Sequence, residues 1–227
     1  MDAVRTAKPI TLKDLRANQK VTALIAGANE VMKAMGYTEH GQRHVGVVAN
    51  ITRYILEGLG TPQREIELAM IAAYMHDIGC VVNRINHPQT GANIAFTILN
   101  EMGMPCEEIA PILGAIGNHE ELNGMPVSLM SAALIIADKS DVHFSRVQNP
   151  IIESFDIHDR VNYAVQKSRV QLNQEDKTID LELEIDTNQA TVLEYFEIFL
   201  SRMVMCRKAS SLFGYRFRLI ANGTRLE

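Results

Sequence analysis

A chain of 227 residues can bury a substantial core without disulfide bonds, and a content of 47% hydrophobic and 22% charged residues is typical of a globular protein. The formal net charge of -5 argues against a protein that wraps nucleic-acid backbone, although bound cations would still allow a small anionic substrate. Three cysteines without a CxxC pair argue against both a disulfide framework and a zinc finger.

Helical periodicity dominates the chain up to about residue 168. Apolar residues recur at helical spacing, and capping residues, glycines and prolines mark where the segments begin and end. Thr11 with Asp14 predicts the start of a first helix that Gly36 ends, and Thr61 followed by Pro62 predicts the start of the third. The predicted helices span about residues 11–36, 40–59, 61–76, 88–102, 106–119, 129–144 and 157–167.

The pattern changes after Ser168. Residues 178–185 alternate as TIDLELEI, which predicts a strand with Leu181, Leu183 and Ile185 on one face. A long helical segment over about residues 190–213 leads to a second alternating run, YRFRLI. We therefore predict a mainly α fold, with a helical domain over residues 1–168 and a small α+β unit of strand, helix and strand over residues 169–227.

Four histidines and two aspartates are the candidate functional residues, because each lies at the start or end of a predicted helix beside apolar residues. They are His44, His76, Asp77, His87, His119 and Asp138. Imidazole and carboxylate groups suit iron, manganese, zinc or nickel, and a carboxylate can bridge two cations through its two oxygens. Asp77 is the natural bridge, because the apolar run AMIAAYMHDIGC would bury it beside His76 at a high cost without a cation or partners.

A purely structural interpretation competes with this one, since a single histidine beside an apolar helix is more often a hydrogen-bonded core residue than a ligand. Such an interpretation would have to hold six separate times. It does suffice for His143 and for the second His-Asp dipeptide, His158-Asp159, which lies in the polar stretch DIHDR where Asp156 predicts a helix N-cap.

These residues and their neighbours resemble the HD superfamily of metal-dependent phosphohydrolases over about residues 40–148. YMHDIG is similar to the family's signature, HPQTGA to the segment that supplies a histidine for the second metal, and ADKSD to the closing aspartate motif. The resemblance implies an HD-type helical domain with two divalent metal ions, with iron or manganese favoured and zinc, nickel or magnesium as alternatives. It assigns His44, His76, Asp77 and Asp138 to one metal, and Asp77, His87 and His119 to the other.

The resemblance also implies an activity, which is the hydrolysis of a phosphomonoester, phosphodiester or phosphoanhydride bond, in a nucleotide, by a metal-activated water. Asp77 and Lys139 are the predicted catalytic residues. The predicted substrate-binding residues are His40, Arg84, Asn118, Lys139 and Arg146. Arg43 is a weaker candidate for the same role.

Two branches of the superfamily are similar to parts of the sequence. HPQTGA and NHEELNGMP resemble the HD-GYP cyclic-dinucleotide phosphodiesterases, but Cys80 and Asn118 depart from their pattern and no GYP follows Gly124. ADKSD with Arg146 resembles the branch that hydrolyses dinucleoside polyphosphates. We therefore expect linear nucleotide or polyphosphate substrates to be preferred over cyclic dinucleotides.

The predicted partner is a small phosphorylated molecule. Alternatives to the enzyme are a non-catalytic metal-containing signalling module and a di-iron oxygenase of the same superfamily, and the C-terminal unit leaves a homodimer interface open. The N-terminal sequence lacks a signal-peptide pattern, and no apolar stretch reaches the roughly 20 residues of a membrane helix. We therefore expect a cytoplasmic protein without a membrane association.

Overall fold

The computed structural model describes residues 8–226, and within this range helices account for most of the secondary structure. The helices are α1 (Leu12–Ala17), α2 (Gln19–Ala34), α3 (Gln42–Gly58), α4 (Gln63–Met75), α5 (His87–Glu101), α6 (Cys106–Gly117), α7 (Leu129–Ser140), α8 (Ile157–Ala164) and α9 (Val192–Leu212). Short 3-10 helices lie at Ile78–Val81, Phe144–Arg146 and Ile152–Ser154. The strands are β1 (Val165–Asn173), β2 (Thr178–Ile185), β3 (Arg216–Ala221) and β4 (Thr224–Leu226).

The first predicted helix is two helices. Its start is confirmed, because Thr11 and Asp14 form a capping box and the Thr11 amide donates to the Asp14 carboxylate at 2.8 Å. The helix then breaks at Asn18, whose backbone is extended and whose side chain accepts the amide of Lys20 at 2.9 Å. Asparagine favours a cap because its side chain replaces a missing backbone acceptor, so one residue ends α1 and begins α2.

Helix α4 is the central helix of the helical part. Residues 68–75 of this helix are all buried, and it packs against α3, α6 and α7. Over these residues helix α4 is hydrophobic on every side, and such a helix is stable only when other elements enclose it. The chain therefore leaves the middle of the core at His76 and Asp77.

The C-terminal part forms one four-stranded sheet in the order β1-β2-β3-β4. The outer pairs are antiparallel and β2 pairs with β3 in parallel, with α9 as the crossover between them. Leu181, Leu183 and Ile185 are buried on one face of β2, as predicted. The predicted order of strand, helix and strand was incomplete, because β1 and β4 flank it.

The boundary of the last helix before the sheet was also wrong. Helix α8 ends at Ala164 instead of extending to about residue 167, and β1 starts at Val165. The residues of β1 pair with β2 from Val165 to Asn173, so tertiary pairing overrides a weak local pattern.

The mainly α fold with a small C-terminal α+β part is confirmed. Buried residues from both parts, among them Ile135 of α7, Leu181 of β2 and Phe199 of α9, belong to one continuous hydrophobic cluster. The division of the chain into two domains at residue 168 stays a prediction. Among the described residues, no helix combines the length and the apolar character that crossing a membrane would require.

Candidate metal centre

Six side chains from the ends of five helices converge in the helical part. His44 lies in the first turn of α3, His76 and Asp77 follow α4, His87 begins α5, His119 follows α6, and Asp138 lies near the end of α7. The four histidines are essentially inaccessible to solvent, and the carboxylates are only slightly exposed. We call His44, His76, Asp77, His87, His119 and Asp138 the six-residue cluster.

One oxygen of Asp77 belongs to a first ligand set with His44, His76 and Asp138. Oδ2 of Asp77 lies 3.4 Å from Nε2 of His44 and 3.1 Å from Nε2 of His76. Oδ1 of Asp138 lies 3.4 Å and 3.6 Å from the same two nitrogens. Nitrogen and oxygen ligands about 2.0–2.2 Å from one cation lie roughly 3.0–3.6 Å from each other, so these spacings fit a metal ion.

The other oxygen of Asp77 belongs to a second set with His87 and His119. Oδ1 lies 3.3 Å from Nε2 of His87 and 3.5 Å from Nε2 of His119, and the two nitrogens are 3.0 Å apart. Each of the two sets places its ligand atoms close enough together to hold a metal ion. Asp77 therefore divides its two oxygens between the two sets, as a bridging carboxylate does.

The four ligand histidines direct their Nε2 atoms toward the carboxylates of the cluster. Nδ1 of His44 donates to Asp141 at 2.7 Å, and Nδ1 of each of the others donates to a backbone carbonyl, at 2.7 Å for His76, 2.8 Å for His87 and 2.6 Å for His119. With Nδ1 protonated, the Nε2 lone pairs face one another and the carboxylates. Donors approach this arrangement at its edge, where Nη1 of Arg84 lies 2.9 Å from Nε2 of His87 and Nζ of Lys139 reaches Oδ2 of Asp138 at 2.7 Å. Between the two ligand sets, imidazole acceptors and carboxylate oxygens face one another, which suits a bound cation.

The pKa values of His76 and Asp77 also indicate that the cluster attracts a positive charge. Burial opposes a charge on His76, but the carboxylates of Asp77 and Asp138 outweigh burial and raise the pKa of this imidazole to about 10. Burial also works against the charge of Asp77, yet His76 and its neighbours hold the pKa of this carboxyl well below its usual range. Without a metal ion, the carboxylates of the cluster attract a proton to His76. A divalent cation bound between them would neutralise the same negative charge.

Asp141 supports the cluster from outside, and the sequence interpretation did not include it. Its Oδ2 accepts from Nδ1 of His44 and lies 2.7 Å from Nη2 of Arg43. A carboxylate behind a histidine fixes the ring and makes Nε2 a stronger ligand. Its position three residues after Asp138, in ADKSD, puts both aspartates near the end of α7, which was the signal available in the sequence.

Lys139 lies beside the cluster and is buried. Its Nζ donates to Oδ2 of Asp138 at 2.7 Å and lies 2.9 Å from Oε2 of Glu121. Burial opposes its charge, but Asp138 and Glu121 outweigh burial and raise the pKa of the ammonium. Lys139 thus brings a fixed positive charge to the edge of the candidate metal centre.

A small cavity of about 20 Å³ adjoins the cluster, and we call it the inner cavity. Four of the predicted substrate-binding residues line it, namely His40, Arg84, Lys139 and Arg146. The His40 ring is 5.7 Å from the His44 ring, and Nη1 of Arg84 lies 2.9 Å from Nε2 of His87. Arg146 also has a structural use, because Nη2 donates to the backbone carbonyl of Glu39 at 2.7 Å.

Asn118 lies elsewhere. Its Nδ2 donates to the carbonyl of Gly114 at 2.9 Å, which closes the end of α6, and it does not line the inner cavity. A role of Asn118 in substrate binding stays a prediction. Arg202 of α9 does line the inner cavity, although the sequence interpretation did not include it.

Residues 42–143 match the family model described as "HD domain". This part of the chain is therefore an HD domain, and the predicted resemblance to the HD superfamily is confirmed. An uncharacterized protein of Methanocaldococcus jannaschii is 24% identical over 208 residues, which cover 82% of this chain and 79% of that protein. A crystal structure described as a predicted HD superfamily hydrolase, from an uncultured Thermotogales bacterium, is 24% identical with a TM-score of 0.44, covering 59% of this chain and 75% of that one.

Proposed function

We propose that this chain is a metal-dependent phosphohydrolase that acts on a small phosphorylated molecule, namely a nucleotide. One observation carries the proposal: the two oxygens of Asp77 lie 3.1–3.5 Å from histidines of two different ligand sets. Phosphoryl transfer needs mainly positioning and charge neutralisation, and a pair of cations beside fixed cationic side chains supplies both.

Iron or manganese fits the ligand sets, since both accept mixed imidazole and carboxylate ligands. When bound, such cations supply a water of lowered pKa and polarise a phosphoryl oxygen. The first set would be held by His44, His76, Asp77 and Asp138, and the second by Asp77, His87 and His119.

The chain's own residues would bind and orient the phosphate. The ammonium of Lys139 has three donors, and it lies 2.7 Å from Asp138 and 2.9 Å from Glu121, so a third donor remains for a phosphoryl oxygen at the inner cavity. The imidazole of His40 has Nδ1 at the carbonyl of Thr38, which leaves Nε2 as an acceptor. Burial lowers the pKa of His40 well below its usual value, so this ring is neutral and suits a water or a protonated oxygen.

Replacement of the bridging carboxylate tests the proposal. Asp77→Asn keeps the shape of the side chain but loses the charge that both ligand sets share, so we expect loss of bound metal and a fall in phosphate release of at least about a hundredfold. The measurements are metal analysis by mass spectrometry and phosphate release from mononucleotides, dinucleoside polyphosphates and cyclic dinucleotides, with iron(II) under anaerobic conditions and with manganese.

Asp159→Asn is the matched control, because it makes the same change in the second His-Asp dipeptide. Asp159 lies in α8, accepts from Asn149 at 3.3 Å and belongs to neither ligand set. This variant should keep metal and activity within about twofold of the wild type. The proposal is wrong if Asp77→Asn keeps its metal and its activity, or if the two variants lose them equally.

A further inference from the structure

Two cavities meet beside the candidate metal centre. The inner cavity continues into an outer cavity of about 630 Å³, and His40, Arg84, Glu120 and Arg202 line both of them. A volume of 20 Å³ holds little more than one water, whereas pockets for small molecules measure about 300–1,000 Å³. The inner cavity therefore suits only the group that reacts, and the rest of a substrate would lie in the outer cavity.

The outer cavity has walls from both parts of the chain. Helix α9 contributes Phe199 and Arg202, the loop after α2 contributes Tyr37, and the segment after α6 contributes Leu122. Tyr37 and Leu122 are exposed apolar side chains, with 43% and 81% of their surface accessible. These surfaces can cover an organic group of nucleoside size. Inorganic phosphate alone would leave most of the outer cavity unfilled.

Two arginines at the passage between the cavities are each held by one of two consecutive glutamates. Nη1 of Arg84 lies 3.1 Å from Oε1 of Glu120, and Nε of Arg202 donates to Oε1 of Glu121 at 3.3 Å. Arg202 also lies over the ring of Phe199, with its guanidinium carbon 4.6 Å from the ring centre. Both guanidinium groups are therefore fixed in place before a ligand arrives.

Arg202 retains donors for a ligand. A guanidinium has five N–H donors, and within residues 8–226 its Nη1 and Nη2 have no acceptor. Two terminal nitrogens in a planar fork match two oxygens of one phosphate group. The reacting phosphate already has the two ligand sets and Lys139 at the inner cavity, so a second phosphate accounts better for two more arginines at the passage.

We propose that Arg202 binds a second phosphate of the substrate, adjacent to the one that reacts, so that the site takes an organic polyphosphate, such as a nucleoside diphosphate, in preference to a monophosphate. This inference rests on the proposed function and narrows its substrate class. It also assigns a role in substrate binding to α9, a helix outside the matched residues 42–143.

Binding to the metal-loaded protein tests the inference. The probes are adenosine monophosphate and α,β-methylene adenosine diphosphate, which resists cleavage between its phosphates, and calorimetry gives the Kd of each. The wild type should bind the diphosphate analogue at least tenfold more tightly. Arg202→Gln should weaken the analogue about tenfold, or about 1.4 kcal/mol, and the monophosphate less than threefold. Arg202→Lys should fall between, because an ammonium cannot make the same paired contact.

Arg207→Gln is the matched control, because Arg207 is an exposed arginine of the same helix and lines neither cavity. It should change neither Kd, and Arg202→Gln should keep the metal content of the wild type. The inference is overturned if the wild type does not prefer the analogue, if Arg202→Gln weakens both probes equally or neither, or if it loses metal. Asp77-dependent phosphate release from the wild type would persist in each of these cases, so the proposed function would still stand.

Discussion

At the scale of single residues, the candidate metal centre depends on which histidine nitrogen carries the proton. Three of the four ligand histidines donate Nδ1–H to backbone carbonyls, whose positions are set by the ends of helices. His44 is different, because its acceptor is the carboxylate of Asp141. A charged acceptor strengthens the opposite nitrogen as a ligand more than a neutral carbonyl does.

Asp141→Asn should therefore weaken metal binding by about 10- to 100-fold with the fold intact. The amide can still accept from His44, but the negative charge that polarises the imidazole is lost. A competition titration against a chelator measures the affinity, and circular dichroism checks the fold. Asp180→Asn is the control, because it removes the charge of a buried aspartate that pairs with Arg218 in the sheet and belongs to neither ligand set. An unchanged affinity in Asp141→Asn, or an equal loss in both variants, would refute the role given to Asp141.

At the scale of the elements, the ends of helices determine where the ligands lie. The His-Asp dipeptide ends α4, and a 3-10 helix at Ile78–Val81 turns the chain toward α5, which begins with His87. This turn requires a glycine at its centre. A Cβ on Gly79 would overlap the carbonyl oxygen of His87 and lie 2.5 Å from the backbone nitrogen of Gly91.

Gly79→Ala should destabilise the protein by at least about 2 kcal/mol, because backbone atoms of α5 cannot move aside as a flexible side chain can. His87 belongs to the displaced segment, so the folded fraction should also bind less metal at the second set. Urea unfolding and metal analysis measure the two effects. Gly46→Ala on α3 is the control, since a Cβ there meets nothing within 4 Å and alanine favours a helix by about 0.5–1 kcal/mol. Equal stability of the two variants would show that the 3-10 helix and α5 are not in such close contact.

Local signals account for most of the elements that were predicted correctly. The capping box at Thr11 and the alternation in β2 depend on neighbouring residues, which the sequence displays directly. The break at Asn18 and the strand β4 also had local signals, and β4 follows the dipeptide Asn222-Gly223 in the left-handed conformation of a tight hairpin turn. Strand β1 had no such signal, since its structure comes from pairing with β2.

The ligand residues were recognisable from the sequence because each lies at a helix end with a motif around it. The groups that support them were harder to recognise. Asp141 contacts His44 across 97 residues, and Arg202 contacts Glu121 across 81. A single sequence shows neither contact, because both depend on how α3, α7 and α9 pack.

At the scale of the whole molecule, the HD domain and the C-terminal part share a hydrophobic cluster and the outer cavity. Helix α9 packs against α7, which carries Asp138 and Lys139, and it extends Arg202 toward the same site. Within residues 8–226 no strand supplies a residue to either ligand set, and the sheet provides the parallel pair β2 and β3 that α9 connects. The position of α9 between β2 and β3 and against α7 explains how a helix outside residues 42–143 comes to line the site.

The positions of bound metal ions decide whether Asp77 bridges the two ligand sets. Crystals of the manganese-loaded protein, measured with anomalous scattering at the manganese edge, would locate every bound ion. We predict two ions in each chain, about 3.5–4 Å apart, with Oδ2 of Asp77 bound to the ion beside His44 and His76, and Oδ1 bound to the ion beside His87 and His119. A single ion, two ions that do not share Asp77, or no ion at the six-residue cluster would show that Asp77 does not bridge two metal ions.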